Sequence, residues 1–210
     1  MNILIIGASR GIGFELLKQA LQAGHKVTAL ARDKSVLEHM KDKKLNVRQG
    51  DILTRKIVEG ACVGQDAVCI CIGMVPSSKK VELFSQGTAY VLGGMKKAGV
   101  KRLLAVTGIG AGDSKGIGGF FYEKVTLPIL LRHIYDDKNR QETLIQASDV
   151  DWTIVRPAFL TQMPLTGQYR VLTDMQGCKV DKISRADVAH FMLSEMEQSQ
   201  YIHQSPLLTY

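Results

Sequence analysis

MNILIIGASRGIG, residues 1–13, has five apolar residues among its first six and then runs directly into a glycine cluster. NILIIG (2–7) reads as a buried strand. GFELLKQALQAG (13–24) places Phe14, Leu17, Ala20 and Leu21 on one face, the spacing of an amphipathic helix, and Gly24 suits its C-terminal cap. Gly7, Gly11 and Gly13 stand between the two. Gly7 permits a tight turn, Gly11 leaves no side chain between the backbone and a pyrophosphate, and Gly13 lets helix and strand approach closely. The helix start then offers free N–H groups and a partial positive charge to an anion. Three glycines alone are a weak signal. A strand before them and a helix after them give the context of a dinucleotide-binding turn.

The rest of the chain repeats the alternation. Strands are expected at 26–32, 45–51, 66–73, 100–108 and 151–158, with helices at 35–41, 55–61 and 82–99 between them. Short links between strand and helix imply a parallel sheet covered on both faces. The fold class is therefore α/β, a doubly wound Rossmann-like sheet in the order 3-2-1-4-5-6, whose ligand lies outside the carboxyl ends of the strands. TGIGAGDSKGIGGF (107–120) reads as a mobile glycine-rich loop, and Pro128 should kink or break the helix that follows. Residues 1–210 form one domain. Within it, 157–210 supplies a small substrate lobe with strands in 169–174 and 178–184 and a helix over 184–196 capped by Ser184.

Composition narrows the function. The chain has 210 residues, 45% hydrophobic and 22% charged, ordinary for a globular protein. No apolar run reaches the roughly 20 residues of a membrane helix, and no signal peptide is read at the start. The net charge of +7 is spread along the chain with no nucleic-acid module, so an anionic small molecule is the expected partner, not nucleic acid or membrane. Cys62, Cys69, Cys71 and Cys178 have no disulfide or metal spacing, no metal is expected, and a cytoplasmic monomer or weak homodimer fits. Cys69 and Cys71 read as small core residues of one strand face.

The second strand ends ALARDK, so Arg32 arrives where an NAD site carries a carboxylate, and Asp33 is one step beyond. With Arg10 inside the glycine turn, two guanidiniums can reach a 2′-phosphate, which favours NADP(H). Asp51 is read either as a group at the adenine edge or as a loop cap. Ser9 and Ile12 in the turn, Ile52 beside Asp51 and Gly73 after the fourth strand complete the near side of the expected lining.

VTALARDKSVL, GQDAVCICIG, GTAYVLGGMKKAGVKRLLAVTG, DWTIVRPAF, MPLTGQYRV and ISRADVAHFML resemble the atypical NAD(P)-binding branch of the short-chain dehydrogenase/reductase superfamily. Within it they resemble the biliverdin reductase B/flavin reductase family and its NmrA-like relatives. The resemblance covers nearly the whole chain. It implies that Arg32 holds the 2′-phosphate, Asp51 approaches the adenine, and Thr107, Gly108 and the Pro157–Ala158–Phe159 turn line the nicotinamide pocket. It implies hydride transfer from NADPH to a flavin or similar planar small molecule. The alternative is an NmrA-like redox sensor that binds the dinucleotide without turnover.

Two departures stand out. No tyrosine has a lysine four residues later, so the Tyr-x-x-x-Lys pair of typical members is absent, and Gly108 stands where the family has serine. The expected chemistry is therefore positioning of two flat rings without a dedicated acid. Met74, Val75, Pro76, Phe120, Phe159, Met163 and Leu165 are the candidate apolar walls. Thr107, Lys138 and Tyr122 are the candidate polar groups, Lys138 being also readable as a solvated helix residue beside Asp136 and Asp137. Arg156 is read either as a substrate-carboxylate receptor or as the partner of a helix carboxylate.

Overall fold

The alternating pattern becomes a layered sheet in a computed structural model that describes residues 1–119, 126, 129, 131–175 and 178–210. In chain order its elements begin with β1 (Asn2–Ile6), α1 (Gly11–Gln22), β2 (Lys26–Ala31), β3 (Leu45–Gln49), α2 (Arg55–Cys62), β4 (Ala67–Ile70), α3 (Leu83–Ala98) and β5 (Arg102–Val106). They continue with α4 (Arg132–Gln146), β6 (Asp151–Pro157), β7 (Phe159–Thr161), β8 (Arg170–Leu172), β9 (Lys182–Ser184), α5 (Arg185–Gln198) and β10 (Leu207–Thr209). The main sheet runs β3-β2-β1-β4-β5-β6-β10-β8, parallel except for β8, which pairs antiparallel with β10.

Successive strand residues point to opposite faces, and both faces are buried. Ile3 and Ile5 of β1 enter a core with α1 and α5, while Leu4 and Ile6 enter a second core with α2 and α3. The winding reverses between β1 and β4. The glycine turn and the carboxyl ends of β4, β5 and β6 therefore form one edge, where open parallel sheets hold their ligands.

Two expectations change. The helix expected at 35–41 is only a 3-10 turn, Ser35–Leu37. Asp33 closes that turn by accepting from the Ser35 N–H (3.0 Å) and hydroxyl (2.7 Å), and only Leu37 in it is buried. The first part of the glycine-rich loop is not loose: residues 107–111 are buried. The Ile109 N–H donates to the Pro157 carbonyl (3.1 Å), and the Ser114 hydroxyl accepts from the Gly110 N–H (2.9 Å) and donates to the Ala111 carbonyl (2.6 Å). Residues 157–210, where the small lobe is expected, divide between two places. β10 and β8 extend the main sheet, whereas β7 pairs with β9 in a small sheet and α5 packs on α1. Ser184 caps α5 by accepting from the Asp187 N–H (2.9 Å). Pro128, Phe120 and Tyr122 lie outside the described residues.

Candidate active site

The glycine turn is shaped by close approach. A side chain at Gly7 would stand 2.6 Å from the Cys71 carbonyl oxygen, and one at Gly13 would overlap the Gly7 carbonyl. At Gly11 the space is open apart from the Arg185 side chain, 3.8 Å away. No side chain caps the α1 N-terminus and its first turn holds no acidic residue. Uncapped N–H groups facing open space beside a guanidinium fit a pyrophosphate.

Arg10 and Arg32 are both exposed at this edge, and Ser9 is half-buried. Asp33 is taken up by the Ser35 turn, whose hydroxyl and N–H hold its carboxyl below the usual range. Asp51 caps its own loop, accepting from the Leu53 N–H (2.9 Å) through one carboxylate oxygen. Ile12 and Ile52 are buried, Ile12 in the α1 core and Ile52 in the α2–α3 core. Gly73 is exposed, with nothing where a side chain would lie. Arg185, the first residue of α5, donates to the Thr161 carbonyl (2.9 Å). It is a third basic group at the turn.

The far side of the cleft is built by α4. Buried Asp137 accepts from the Phe84 N–H (2.7 Å) and from the Ser85 hydroxyl, so an anion from α4 closes the start of α3. Gln141 donates to the Thr88 hydroxyl (3.0 Å) one turn on. These bonds fix the face of α4 that carries Tyr135 and Lys138.

Tyr135 and Lys138 converge on Gly108. A side chain there would stand 3.2 Å from the Tyr135 hydroxyl oxygen and 3.7 Å from the Lys138 nitrogen, at a φ of +139° that L-residues rarely adopt. The Lys138 ammonium donates to the Thr107 carbonyl and lies 5.4 Å and 5.3 Å from the centroids of the Phe84 and Tyr135 rings. Burial pushes its pKa down to about 8, with the Glu142 charge partly opposing. Lys138 is therefore half-buried between these groups and not a solvated helix residue.

The Thr107 hydroxyl points elsewhere: it donates to Glu142 Oε1 (2.6 Å). Glu142 also holds Arg156 Nε (3.1 Å) and Nη2 (2.7 Å), so Arg156 pairs with a helix carboxylate. Burial alone would lower the Arg156 pKa; Glu142 and then Asp113 more than offset it. Pro157 and Ala158 are buried at the strand end. Beyond them Phe159, Met163 and Leu165 are 38–49% exposed together with Leu160, an apolar rim, and Val75 and Pro76 are exposed across the cleft. Met74 packs on Phe84 and Val81 instead. Burial raises the Cys69 thiol to about 12 and Cys71 well above its ordinary value, which leaves both inert.

A family model described as NAD(P)H-binding matches residues 7–199. The chain is 29% identical over 214 residues to the uncharacterized protein YwnB of Bacillus subtilis, covering 96% of this chain and 94% of that one. It is 25% identical over 160 residues to the NAD(P)H azoreductase of Xenophilus azovorans, covering 76% of this chain but only 49% of that protein, about half its length. Among solved structures, ChuY of Escherichia coli O157:H7, described as an anaerobillin reductase, superposes with a TM-score of 0.82 at 25% identity over 100% of this chain and 97% of that one.

Proposed function

The chain belongs to this NAD(P)H-binding family, and from that premise we propose that it is an NADPH-dependent reductase of a flat, conjugated small molecule, with Lys138 as the proton source. The observation that carries the reading is the meeting of the Lys138 ammonium and the Tyr135 hydroxyl over Gly108, at the end of β5. NADPH, when bound, supplies a hydride. The uncapped start of α1 and Arg185 would hold its pyrophosphate, and Arg32 and Arg10 its 2′-phosphate. The apolar rim of Phe159, Met163 and Leu165 offers a flat acceptor a surface from which water is excluded.

Hydride addition to a conjugated double bond leaves negative charge on the acceptor, and a proton must follow. An ammonium of pKa about 8 is mostly protonated at neutral pH yet releases its proton more readily than an ordinary lysine. The Thr107 carbonyl takes one of its three donors, and the Tyr135 hydroxyl beside Gly108 would orient the acceptor. Azo, bilin and flavin systems all fit this chemistry. The names of the azoreductase and ChuY relatives support the first two, and the family resemblance supports the third.

NADPH consumption measured with FMN, FAD, biliverdin, an azo dye and a quinone tests the proposal. Turnover with at least one, falling about 10²–10⁴-fold in Lys138→Met, is expected. Tight NADPH binding with no consumption in any of the five would refute it in favour of a sensor.

A further inference from the structure

The other flank of α4 carries chemistry that the cleft does not use. α4 is the last described helix on its face of the sheet, and β10 and β8 continue the sheet past it. That step leaves a cavity of about 540 Å³, within the usual range for small-molecule sites. Trp152 and His203 form one wall, their ring centroids 5.5 Å apart and their planes inclined at 50°. Gly108, Tyr135 and Lys138 do not line it.

Arg156 forms the floor, its side chain 1% exposed. Two of its nitrogens belong to Glu142, whose side chain is 3% exposed. The third, Nη1, takes the carboxylate of Asp113, which is 81% exposed. Asp113 reaches in from the glycine-rich loop, held there by the Gly112 N–H donating to Asn139 (2.9 Å). The two carboxylates thus differ in kind: one is a permanent part of the core, the other a surface group laid across a buried cation.

A ligand carboxylate would make the same charge-assisted bond with no change in the charge of the site. Asp113 would return to water easily, being mostly hydrated already. We propose that this cavity binds a small carboxylate with a flat body. Its carboxylate replaces Asp113 on Arg156 Nη1, and its body lies against Trp152 and His203. This site is independent of the proposed reductase activity.

Trp152 is the only tryptophan in the chain, so its fluorescence reports the cavity directly. Benzoate is the probe, benzamide its neutral counterpart. Benzoate should change Trp152 emission saturably and benzamide should not. Asp113→Asn, a surface substitution, removes the tethered competitor and should tighten benzoate at least tenfold. Lys138→Met should leave the benzoate affinity unchanged, which separates this site from the cleft. No saturable response in the parent and in Asp113→Asn would overturn the proposal. So would equal affinity for benzamide, an affinity unmoved by Asp113→Asn, or a response lost in Lys138→Met.

Discussion

Lys138→Met should make the protein more stable at neutral pH while disabling it. Burial moves the ammonium from its ordinary 10.5 down to about 8. A lowered lysine pKa means that the folded state resists the proton that the unfolded state accepts. The full difference amounts to about 3 kcal/mol of destabilisation below pH 8. It shrinks as pH rises from 8 to 10.5 and vanishes above that, where both states are neutral. Two corrections reduce the gain from removing the charge. The side chain is only half-buried, and methionine loses the bond to the Thr107 carbonyl and the ring contacts with Phe84 and Tyr135. The expected net gain is about 1–2 kcal/mol at pH 7, or roughly 2–8 °C in Tm for a chain of this size. Urea denaturation of parent and variant from pH 6 to 10.5 measures it. The gap should be flat below pH 8 and close towards pH 10.5. A gap that does not depend on pH, or a variant less stable than the parent at pH 7, would show that the ammonium is not held in a desolvated place, and the acid assignment would fall with it.

Arg32→Ala should cut the preference for NADPH over NADH by roughly ten- to hundredfold, the range of a hydrogen bond to a charged group. Arg185→Ala should weaken both cofactors alike, because it stands at the turn shared by both; titration of each dinucleotide separates the two effects. Glu195→Ala should destabilise by about 3–5 kcal/mol in thermal melts, since it strands Arg102, which is 8% exposed and bonded to Glu195 Oε1 at 2.6 Å. Burial would raise the Asp187 carboxyl, but hydrogen bonds from Tyr210, Gly167, Ser184 and Thr166 outweigh it and hold the pKa low. Its stabilisation is therefore present above the ordinary carboxylate range and lost as pH falls through the folded value. Asp187→Asn should flatten the acid limb of the stability curve measured between pH 6 and 2.

The order of the first six strands was legible because β1, β2, β4, β5 and β6 are short apolar runs bounded by turn residues, as parallel strands buried on both faces are, while β3 (LNVRQ) is an exposed edge strand placed by the alternation around it. The glycine turn was legible for the same local reason: strand, glycines and helix are contiguous. The cleft's far wall was not. Lys138 sits between polar neighbours in YDDKNRQE, a stretch that reads as a solvated face. What turns it inward is Asp137, buried at the start of α3, a residue 53 positions away from its partner Phe84. Arg185 escaped for a related reason. It meets Gly11 only because α5 packs on α1, a contact between the two ends of the chain. β8 falls inside the strand expected at 169–174, whereas β10 escaped because a three-residue strand carries almost no periodic signal.

The two departures from the family pattern are one feature rather than two losses. The family's tyrosine–lysine pair has a spacing of four, but residues three apart share a helix face equally well, and Tyr135 and Lys138 are three apart. A serine at 108 would need a left-handed φ and would press its first side-chain carbon to 3.2 Å from the Tyr135 hydroxyl, tighter than packed atoms normally sit. On the proposed reading, the hydroxyl that the family resemblance expects at the end of the fifth strand would come from α4, together with an ammonium. Gly108 is the residue that leaves room for both. Lys138 is a candidate polar group in the sequence alone; what the fold adds is Tyr135 and Gly108 beside it, so the three are read together.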